Sequence, residues 1–287
     1  MMPRSLAVFI GTLLVFLFSS AHANFYVIAG GGKKVGTEIK ALPYIITEPG
    51  FYYITKNLSC VSGVHGITIN TSDVTIDLMG FSLIGPGGAI SSDNHGIYSA
   101  LAVRHLEIRN GVIRDFQGDG ILIDHGESRG CKIVNIKAAS NRDEGIDIDG
   151  FLNIVRDCIC TNNTGYGIDS IGKGTIIKGN SCYGNGDGIF TGSGRTITGN
   201  LCYQNRDAGI HTGGGCIIQG NTCSGNSGDG IIVGSGAVVI GNACNINAKN
   251  GIWAFTNCYI DQNNCYGNET NMRTGSDCTF GNNHAPK

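Results

Sequence analysis

Acidic side chains that could do chemistry are concentrated between residues 119 and 169 of this chain. Three of them, Asp124, Asp147 and Asp149, stand within alternating apolar segments typical of strands, where aspartate is disfavoured and needs a chemical reason. Neighbouring carboxylates can bind Ca²⁺ through their oxygen atoms, or act as acid and base at a glycosidic bond. The candidate cation ligands are Asp119, Asp124, Asp147, Asp149 and Asp169, and the candidate catalytic residues are Arg142, Asp143, Glu144, Asp147 and His211.

A recurring Gly-Ile pair predicts the direction in which these acids point. Side chains alternate between the two faces of a strand, so the residue after each isoleucine faces outward if the isoleucine faces inward. The turn before each pair favours aspartate for local hydrogen bonding, which gives Asp119, Asp187 and Asp229 a structural alternative. The predicted outward column is Tyr98, Leu122, Asp147, Asp169, Phe190, His211, Ile232 and Trp253. The flat faces of its three aromatic rings suit sugar rings, so these residues are candidates for substrate binding.

The elements that position these residues are predicted to be short strands, because the chain repeats itself. From Lys173 onward, copies such as "RTITGNLCYQNRDAGIHTGGG" and "CIIQGNTCSGNSGDGIIVGSG" follow one another. Their period of about 21 residues is in the range of solenoid repeats. Each copy holds short β-branched pieces separated by Gly, Asn and Asp, with no amphipathic run long enough for a helix. Each copy therefore predicts one coil of three strands and three turns, paired in parallel with its neighbours.

Cysteine and asparagine recur in fixed phases of this repeat. Stacked asparagine amides can form ladders along the axis. Stacked cysteines on parallel strands have Cβ atoms about 4.8 Å apart, against about 3.8 Å in a disulfide, so we expect buried, reduced thiols. Four other cysteines, Cys60, Cys131, Cys258 and Cys278, are candidates for exceptions. The columns are Cys160, Cys182, Cys202, Cys223, Cys244 and Cys265; Asn163, Asn185, Asn205, Asn226, Asn247 and Asn268; and Asn180, Asn200, Asn221, Asn242 and Asn263.

The segment "GITINTSDVTIDLMGFSLIGPG" (66–87) resembles the opening coils of pectin-lyase-like β-helix proteins. The later "GN-x-C-x-x-N" copies, each followed by Gly-Ile, look like the repeats of that superfamily, and the resemblance extends from about residue 49 to the C-terminus. It implies an all-β fold, a single-stranded, right-handed parallel β-helix solenoid. Because the superfamily includes polysaccharide lyases, polygalacturonases, epimerases, phage tailspikes and non-enzymatic surface proteins, the fold does not choose the activity.

The first residues are typical of a secretory signal peptide, with a basic start, an apolar run and an A-x-A end at Ala23. We therefore expect a secreted, periplasmic or extracellular protein without a membrane span after cleavage. The predicted divisions are a signal peptide over 1–23, an N-terminal cap with the first strands over 24–59, and the right-handed parallel β-helix over 60–287.

Charge and motifs limit the partners of the chain. The formal net charge of −2 argues against a nucleic-acid partner, which would require a basic surface. No phosphate-binding loop is present, and nothing in the sequence indicates a haem or flavin site, so we expect no organic cofactor. The expected partner is a polysaccharide, the expected cofactor is Ca²⁺, and the expected state is a monomer.

The acidic segment of this chain resembles segments of two enzyme families. "NRDEGIDIDG" (141–150) looks like the paired-acid segment of polygalacturonases, which implies Asp143, Glu144 and Asp147 as acid and base, although that family's G-H-G and R-I-K segments are absent. The acidic patch also resembles that of Ca²⁺-dependent pectate and alginate lyases, in which Ca²⁺ neutralises a uronate carboxylate and an Arg or Lys removes the C5 proton. The candidate bases are Arg142, Lys173, Arg206 and His211, of which Lys173 and Arg206 are also candidates for substrate binding.

These observations favour a secreted carbohydrate-active protein that cleaves a uronate-containing polysaccharide by Ca²⁺-assisted β-elimination. Two alternatives remain open. One is a glycoside hydrolase that uses paired carboxylates of the same patch. The other is a non-catalytic β-helix that binds glycans or forms part of an envelope.

Overall fold

Short β-strands joined by turns form the part of the chain that the computed structural model describes, residues 35–88 and 94–286. No helix occurs among these described residues. The strands pair in parallel, coil upon coil, into a right-handed β-helix. The predicted all-β parallel solenoid is therefore confirmed, and ladder partners 20 to 22 residues apart agree with the predicted period.

One sheet of the solenoid, which we name the front sheet, takes a single strand from each coil. Eleven described strands lie side by side in chain order. They are Tyr44–Ile46, Ile67–Ile69, Ile97–Ser99, Ile121–Ile123, Ile146–Ile148, Ile168–Ser170, Ile189–Thr191, Ile210–Thr212, Ile231–Val233, Asn250–Ala254 and Thr270–Thr274.

The remaining strands form a second sheet of two adjoining ladders, which we name the back sheet. In two coils the ladders are joined by one longer strand, Glu107–Arg114 and Lys132–Ala139, each bent at an asparagine with φ of 59° or 53°. The other strands are Thr37–Glu38, Gly50–Tyr53, Leu58–Ser59, Val74–Asp77, Ser82–Ile84, Ile154–Arg156, Ile159–Thr161, Ile176–Lys178, Ser181–Tyr183, Thr196–Thr198, Leu201–Tyr203, Ile217–Gln219, Thr222–Ser224, Val238–Ile240, Ala243–Asn245, Tyr259–Asp261, Asn264–Tyr266 and Thr279–Phe280.

Isoleucine and cysteine fill the interior of the coils. The first isoleucine of each front-sheet strand from Ile97–Ser99 to Ile231–Val233 is fully buried, so the residue that follows it faces outward. The six cysteines of the predicted column are buried register partners, from Cys160 to Cys265. All twelve cysteines are free thiols, including the four candidates for exceptions.

Asparagine ladders satisfy the backbone at two corners of each coil. Asn185 is representative: its Nδ2 donates to Oδ1 of Asn205 at 3.3 Å and to the carbonyl of Cys160 at 2.9 Å. Its Oδ1 accepts the backbone N–H of Asn163 at 3.1 Å. The second ladder repeats this pattern from Asn180 onward. Both predicted ladders are confirmed, and they provide partners for backbone groups that lie away from water.

Strand pairing begins before residue 60. The strand Tyr44–Ile46 pairs with Ile67–Ile69, and Gly50–Tyr53 pairs with Val74–Asp77. The predicted signal peptide and the start of the predicted cap lie outside the described residues, and the cap stays a prediction. Within the described residues, no helix is long and apolar enough to cross a membrane.

Candidate functional site

The outward column of the front sheet is continuous from coil to coil, as the alternation predicted. Each member from Tyr98 to Trp253 is flanked in sequence by buried residues that face the core, and this fixes its outward direction. At about 4.8 Å between neighbouring parallel strands, the nine residues from Tyr98 to Arg273 extend over about 38 Å. In order they are Tyr98, Leu122, Asp147, Asp169, Phe190, His211, Ile232, Trp253 and Arg273.

Asp147 and Asp169, which we name the acid pair, occupy neighbouring strands in direct register. Asp169 is only 7% exposed, and the Oδ1 atoms of both residues are buried without a hydrogen-bond partner. Burial, followed by repulsion from Asp169, raises the pKa of Asp147 to about 9. Burial, followed by repulsion from Glu144, raises the pKa of Asp169 to about 7. Because unpaired buried carboxylates are costly, the acid pair holds a proton at neutral pH unless a cation takes its place.

A second group of acids occupies the turns before two neighbouring front-sheet strands, with Asp119 before Ile121–Ile123 and with Asp143 and Glu144 before Ile146–Ile148. Asp119, Asp143 and Glu144 each offer a carboxylate oxygen, and these atoms lie within 4.8 Å of one another. The backbone N–H of Glu144 donates to Oδ1 of Asp119 at 2.7 Å. Burial and then the hydrogen bond with the Asp119 carboxyl raise the pKa of Glu144 to about 7. These turns therefore add carboxylate oxygens, the kind of ligand that a cation prefers, near the acid pair.

Asp124 and Asp149 lie at the opposite end of the front-sheet strands. Oδ1 of Asp149 accepts the backbone N–H of Ile171 at 3.2 Å, and burial raises the pKa of the Asp149 carboxyl. Asp124 is exposed. Among the predicted cation ligands, the acid pair is thus distinguished by buried oxygens that accept no hydrogen bond from the protein.

Aspartates of the turns also support the backbone, but they bond to the next coil, whereas the sequence had predicted local bonds within the turn. Oδ1 of Asp187 accepts the backbone N–H of Ala208 at 2.7 Å, and Oδ1 of Asp229 accepts that of Asn250 at 2.9 Å. Asp119 accepts the N–H of the next coil in the same way. Each carboxylate therefore bonds one turn to the turn above or below it.

On the C-terminal side of the acid pair, aromatic rings and a histidine continue the column. The ring of Phe190 stacks on Tyr166, with centroids 4.8 Å apart, and meets the edge of His211 at 5.1 Å. Nδ1 of His211 lies 3.6 Å from Oδ2 of Asp187, and its side chain is 40% exposed. An aromatic floor and an accessible imidazole beside a carboxylate therefore adjoin Asp169.

On the N-terminal side, Tyr98 belongs to a stack of three rings. The imidazoles of His65 and His95 lie 5.1 Å apart and nearly parallel, and the Tyr98 ring is 4.1 Å from His65. The backbone N–H of Asp119 lies 2.9 Å from Nδ1 of His95, and Oδ2 of Asp119 lies 3.1 Å from the same nitrogen. This stack lies two coils from Asp147, with Leu122 between them.

The three predicted basic residues Arg142, Lys173 and Arg206 lie outside the outward column. Arg206 donates to the carbonyls of Gly184 at 2.7 Å and Thr164 at 2.6 Å, so its guanidinium joins turns of neighbouring coils. Arg142 is exposed and lines a cleft of about 250 Å³ at the turns. Lys173 is exposed in the turn that follows a front-sheet strand.

One basic residue near the site has no counterpart among the predictions. Arg195 is 2% exposed, donates to the carbonyl of Ser170 at 3.2 Å and has no partner for its Nε. Burial lowers the pKa of Arg195, while the charges of Asp149 and Asp169 oppose that change. Its backbone N–H contacts the thiol of Cys216, which shows that Arg195 occupies an inward phase of the repeat. Alignment of the repeats at this phase is the signal that could have identified it.

The donor set of the site fits a hard divalent cation. Carboxylate oxygens are the ligands that Ca²⁺ prefers, and the acid pair offers two such oxygens without protein partners. The same pair can instead hold a proton, because its pKa values are raised. With the imidazole of His211 on one side, the front sheet combines a cation or proton site, a group that can accept a proton, and rings on which a sugar can stack.

Comparisons with known proteins agree with the architecture. The sequence profile of the right-handed beta helix region family matches residues 95–243, just over half of the chain. The A-module of mannuronan C-5 epimerase AlgE6 from Azotobacter vinelandii superposes with a TM-score of 0.69 at 14% identity, covering 88% of this chain and 90% of that chain. The AlgE4 A-module from the same organism gives 0.61 at 14% identity, covering 88% and 83%.

The Dettilon tailspike protein (gp208) superposes with a TM-score of 0.57 at 14% identity, covering 86% of this chain and 53% of that chain. No curated protein sequence matches significantly. At such identities the similarity to solved structures shows the fold alone, so the activity must be argued from the site.

Proposed function

The chain belongs to the family of right-handed beta helix proteins, and from that premise we propose that its front sheet binds a uronate-containing polysaccharide and cleaves it by Ca²⁺-assisted β-elimination. The single observation behind this proposal is the acid pair, whose buried, unpartnered oxygens lie in the outward column next to the ring of Phe190. The similar AlgE6 and AlgE4 modules are named as epimerases at C-5 of mannuronan. Inversion at C5 and β-elimination both require loss of the C5 proton, which makes an acidic sugar the first substrate to test.

Asp147 and Asp169 are the residues that would hold Ca²⁺, and the nearby carboxyl of Glu144 adds negative charge that acts on both of them. When bound, the cation would neutralise the uronate carboxylate and so make the adjacent C5–H more acidic. A cation would also remove the repulsion that raises the pKa values of the acid pair.

Phe190 and His211 provide the remaining chemistry in this proposal. A sugar ring stacked on Phe190 has its carboxylate toward Asp169 and its C5–H toward His211, since these residues are the two register neighbours of Phe190. His211 takes the C5 proton, and the carboxylate of Asp187 at 3.6 Å favours the imidazolium that forms. The C5–H electron pair becomes the C4=C5 double bond as the C4–O bond breaks, and the leaving oxygen takes a proton from water.

Glycoside hydrolysis is the second candidate, because Asp147 retains its proton at neutral pH without a cation. A carboxylic acid with a raised pKa can protonate the leaving oxygen while a neighbouring carboxylate activates water. Asp143 and Glu144 lie in the adjoining turn, where the sequence also predicted an acid and a base.

The reaction is tested on a panel of uronate polysaccharides, with Ca²⁺ and with chelator, by following unsaturated ends and reducing ends together. Elimination requires both to increase with Ca²⁺ and to stop with chelator. Reducing ends without unsaturated ends would instead establish hydrolysis. Retention of the polysaccharide on immobilised protein, without new chain ends, would establish a binding role.

The location of the protein is part of the same proposal. Export would place the front sheet where extracellular or envelope polysaccharides occur, and the sequence of residues 1–23 has the features of a signal peptide. N-terminal sequencing of the native protein is expected to begin at Asn24. A chain that retains residues 1–23 and stays in the cytoplasm would contradict this part.

A further inference from the structure

The front sheet has an aromatic and basic group at its C-terminal end, well separated from the acid pair. Trp253 and Arg273 are register partners in the outward column. Phe255 lies two residues after Trp253, so it faces the same side, and it is 43% exposed. We name Trp253, Phe255 and Arg273 the distal platform.

The contacts within the distal platform hold a charged group and an aromatic ring side by side. The guanidinium carbon of Arg273 lies 4.6 Å from the centre of the Trp253 ring, a cation–π arrangement. The rings of Trp253 and Phe255 are 5.3 Å apart and tilted by 59°. The guanidinium is therefore held over the ring of Trp253, while Phe255 offers an exposed ring.

Arg273 has no acidic partner among the described residues. The ion pairs in that part of the chain involve other cations, and Arg273 is exposed at the surface. The N–H donors of a guanidinium lie in the plane of the group, where they match both oxygens of a carboxylate. The platform thus offers charge-assisted hydrogen bonds beside an apolar ring.

The distal platform shares one straight column with the acid pair. From Asp169 the register passes through Phe190, His211 and Ile232 to Trp253, a distance of four coils or about 19 Å. Phe190 and Ile232 carry no charge, so an extended anionic chain can follow the column from the acid pair to the platform.

We propose that the distal platform is a subsite for a carboxylate-bearing sugar ring of the same polysaccharide chain that the acid pair engages. This inference rests on the proposed function and extends it. The ring stacks on Phe255, and its carboxylate accepts two hydrogen bonds from Arg273. The subsite therefore selects for acidic sugars at a second place, and only an oligosaccharide long enough to extend over four coils gains from it.

The test measures equilibrium binding of oligomannuronates and oligogalacturonates of increasing length, from disaccharide to octasaccharide, in an H211Q background, which slows turnover and keeps the acid pair intact. Arg273→Gln removes the charge and donors of the platform, whereas Lys178→Gln removes one exposed charge from the back sheet and serves as the matched control. We expect R273Q to weaken the binding of the long oligosaccharides about fivefold, which is the upper end of the range for an exposed ion pair. Short oligosaccharides and neutral cello-oligosaccharides are expected to bind both variants as they bind the H211Q parent.

The subsite would be wrong if R273Q weakened the binding of short and long ligands equally. It would also be wrong if K178Q had the same effect on binding as R273Q, or if R273Q weakened the binding of neutral ligands as much as that of acidic ones. Failure of the proposed function would look different. If the wild-type protein generates no chain ends but binding of the long acidic ligands still depends on Arg273, the subsite is correct and the protein binds polysaccharide without cleaving it. If wild-type protein cleaves and R273Q binds the long ligands normally, the reaction stands and the subsite is wrong.

Discussion

Asp147 and Asp169 are register partners on neighbouring parallel strands, and each has a buried Oδ1 atom without a hydrogen-bond partner. The sheet brings their side chains together because both follow an isoleucine that is fully buried in the core. Two carboxyl groups at this spacing cannot both ionise at low cost, so they require a shared proton or a cation. The chemistry proposed for the front sheet begins from this requirement.

The acid pair makes the stability of the metal-free protein depend on pH. Asp147 keeps its proton up to a pKa of about 9 in the folded chain, against 3.8 ordinarily, so between these values the folded state binds more protons than the unfolded state. The free energy of unfolding of the metal-free protein is therefore highest near pH 4, as far as Asp147 is concerned, and falls as the pH rises toward 9. This decrease in the free energy of unfolding is expected to be smaller in D147N than in the wild type, by on the order of a few kcal/mol.

Urea unfolding at pH 5, 7 and 9 in chelator measures the effect. D157N, which changes an exposed aspartate of the back sheet, is the control and is expected to keep the wild-type slope. At pH 9, D147N is expected to be more stable than the wild type. An unchanged pH dependence in D147N would show that Asp147 is not held protonated by the fold.

Calcium should compete with protons for the acid pair. Binding of Ca²⁺ requires the ionised carboxylates, so we expect Ca²⁺ to raise the melting temperature more at pH 8 than at pH 5. Isothermal titration in two buffers of different ionisation enthalpy measures the protons released on binding. D147N and D169N are each expected to weaken Ca²⁺ binding at least about tenfold, the scale of removing a charged ligand. Binding that is equal in D157N and D169N would exclude the acid pair as ligands.

His211 is expected to act as the base of the elimination. Its loss in H211Q should lower kcat by about 10²- to 10⁴-fold, the usual contribution of a positioned acid or base, with little change in binding. His105, which is exposed and pairs with Asp73, provides the control H105Q. If H211Q retains its turnover while H105Q is also normal, the base lies elsewhere, and the stack of His65, His95 and Tyr98 becomes the next place to test.

The asparagine ladders are expected to stabilise the coils. The side chain of Asn205 accepts from Asn185 and donates to Asn226 and to the carbonyl of Cys182, all in the interior. Asn205→Ala leaves these groups without partners, and we expect a loss of about 2–4 kcal/mol in the free energy of unfolding. Asn282→Ala, at an exposed position, is the control and is expected to change it by less than about 0.5 kcal/mol. Similar losses in the two variants would contradict the role of the ladder.

The repeated parts of the fold could be predicted from the sequence because two periodicities act together. The coil period of about 21 residues sets which residues stack, and strand alternation sets which of them face outward. These two periods were sufficient to place Asp147, Asp169, Phe190, His211 and Trp253 in one column. The cysteine and asparagine columns followed from the same reasoning.

Contacts that depend on side-chain reach or on irregular coils could not be predicted in this way. His65 and His95 stack although they are 30 residues apart, because the coil between them is longer than the repeat. Arg195 follows a glycine-rich turn and looks exposed in the sequence, yet it lies in an inward phase. Arg206 extends to the carbonyls of earlier turns, which its position in the repeat does not reveal.

The formation of unsaturated ends by wild-type, D147N and D157N proteins, measured by ultraviolet absorbance on uronate polysaccharides with Ca²⁺ and with chelator, tests the central claim most directly. We expect wild type and D157N to form these ends only with Ca²⁺, and D147N to lose at least about a hundredfold in rate, as expected when a group that acts in the transition state is removed. Full activity of D147N, or activity that persists in chelator, would contradict an elimination that depends on Asp147 and Asp169.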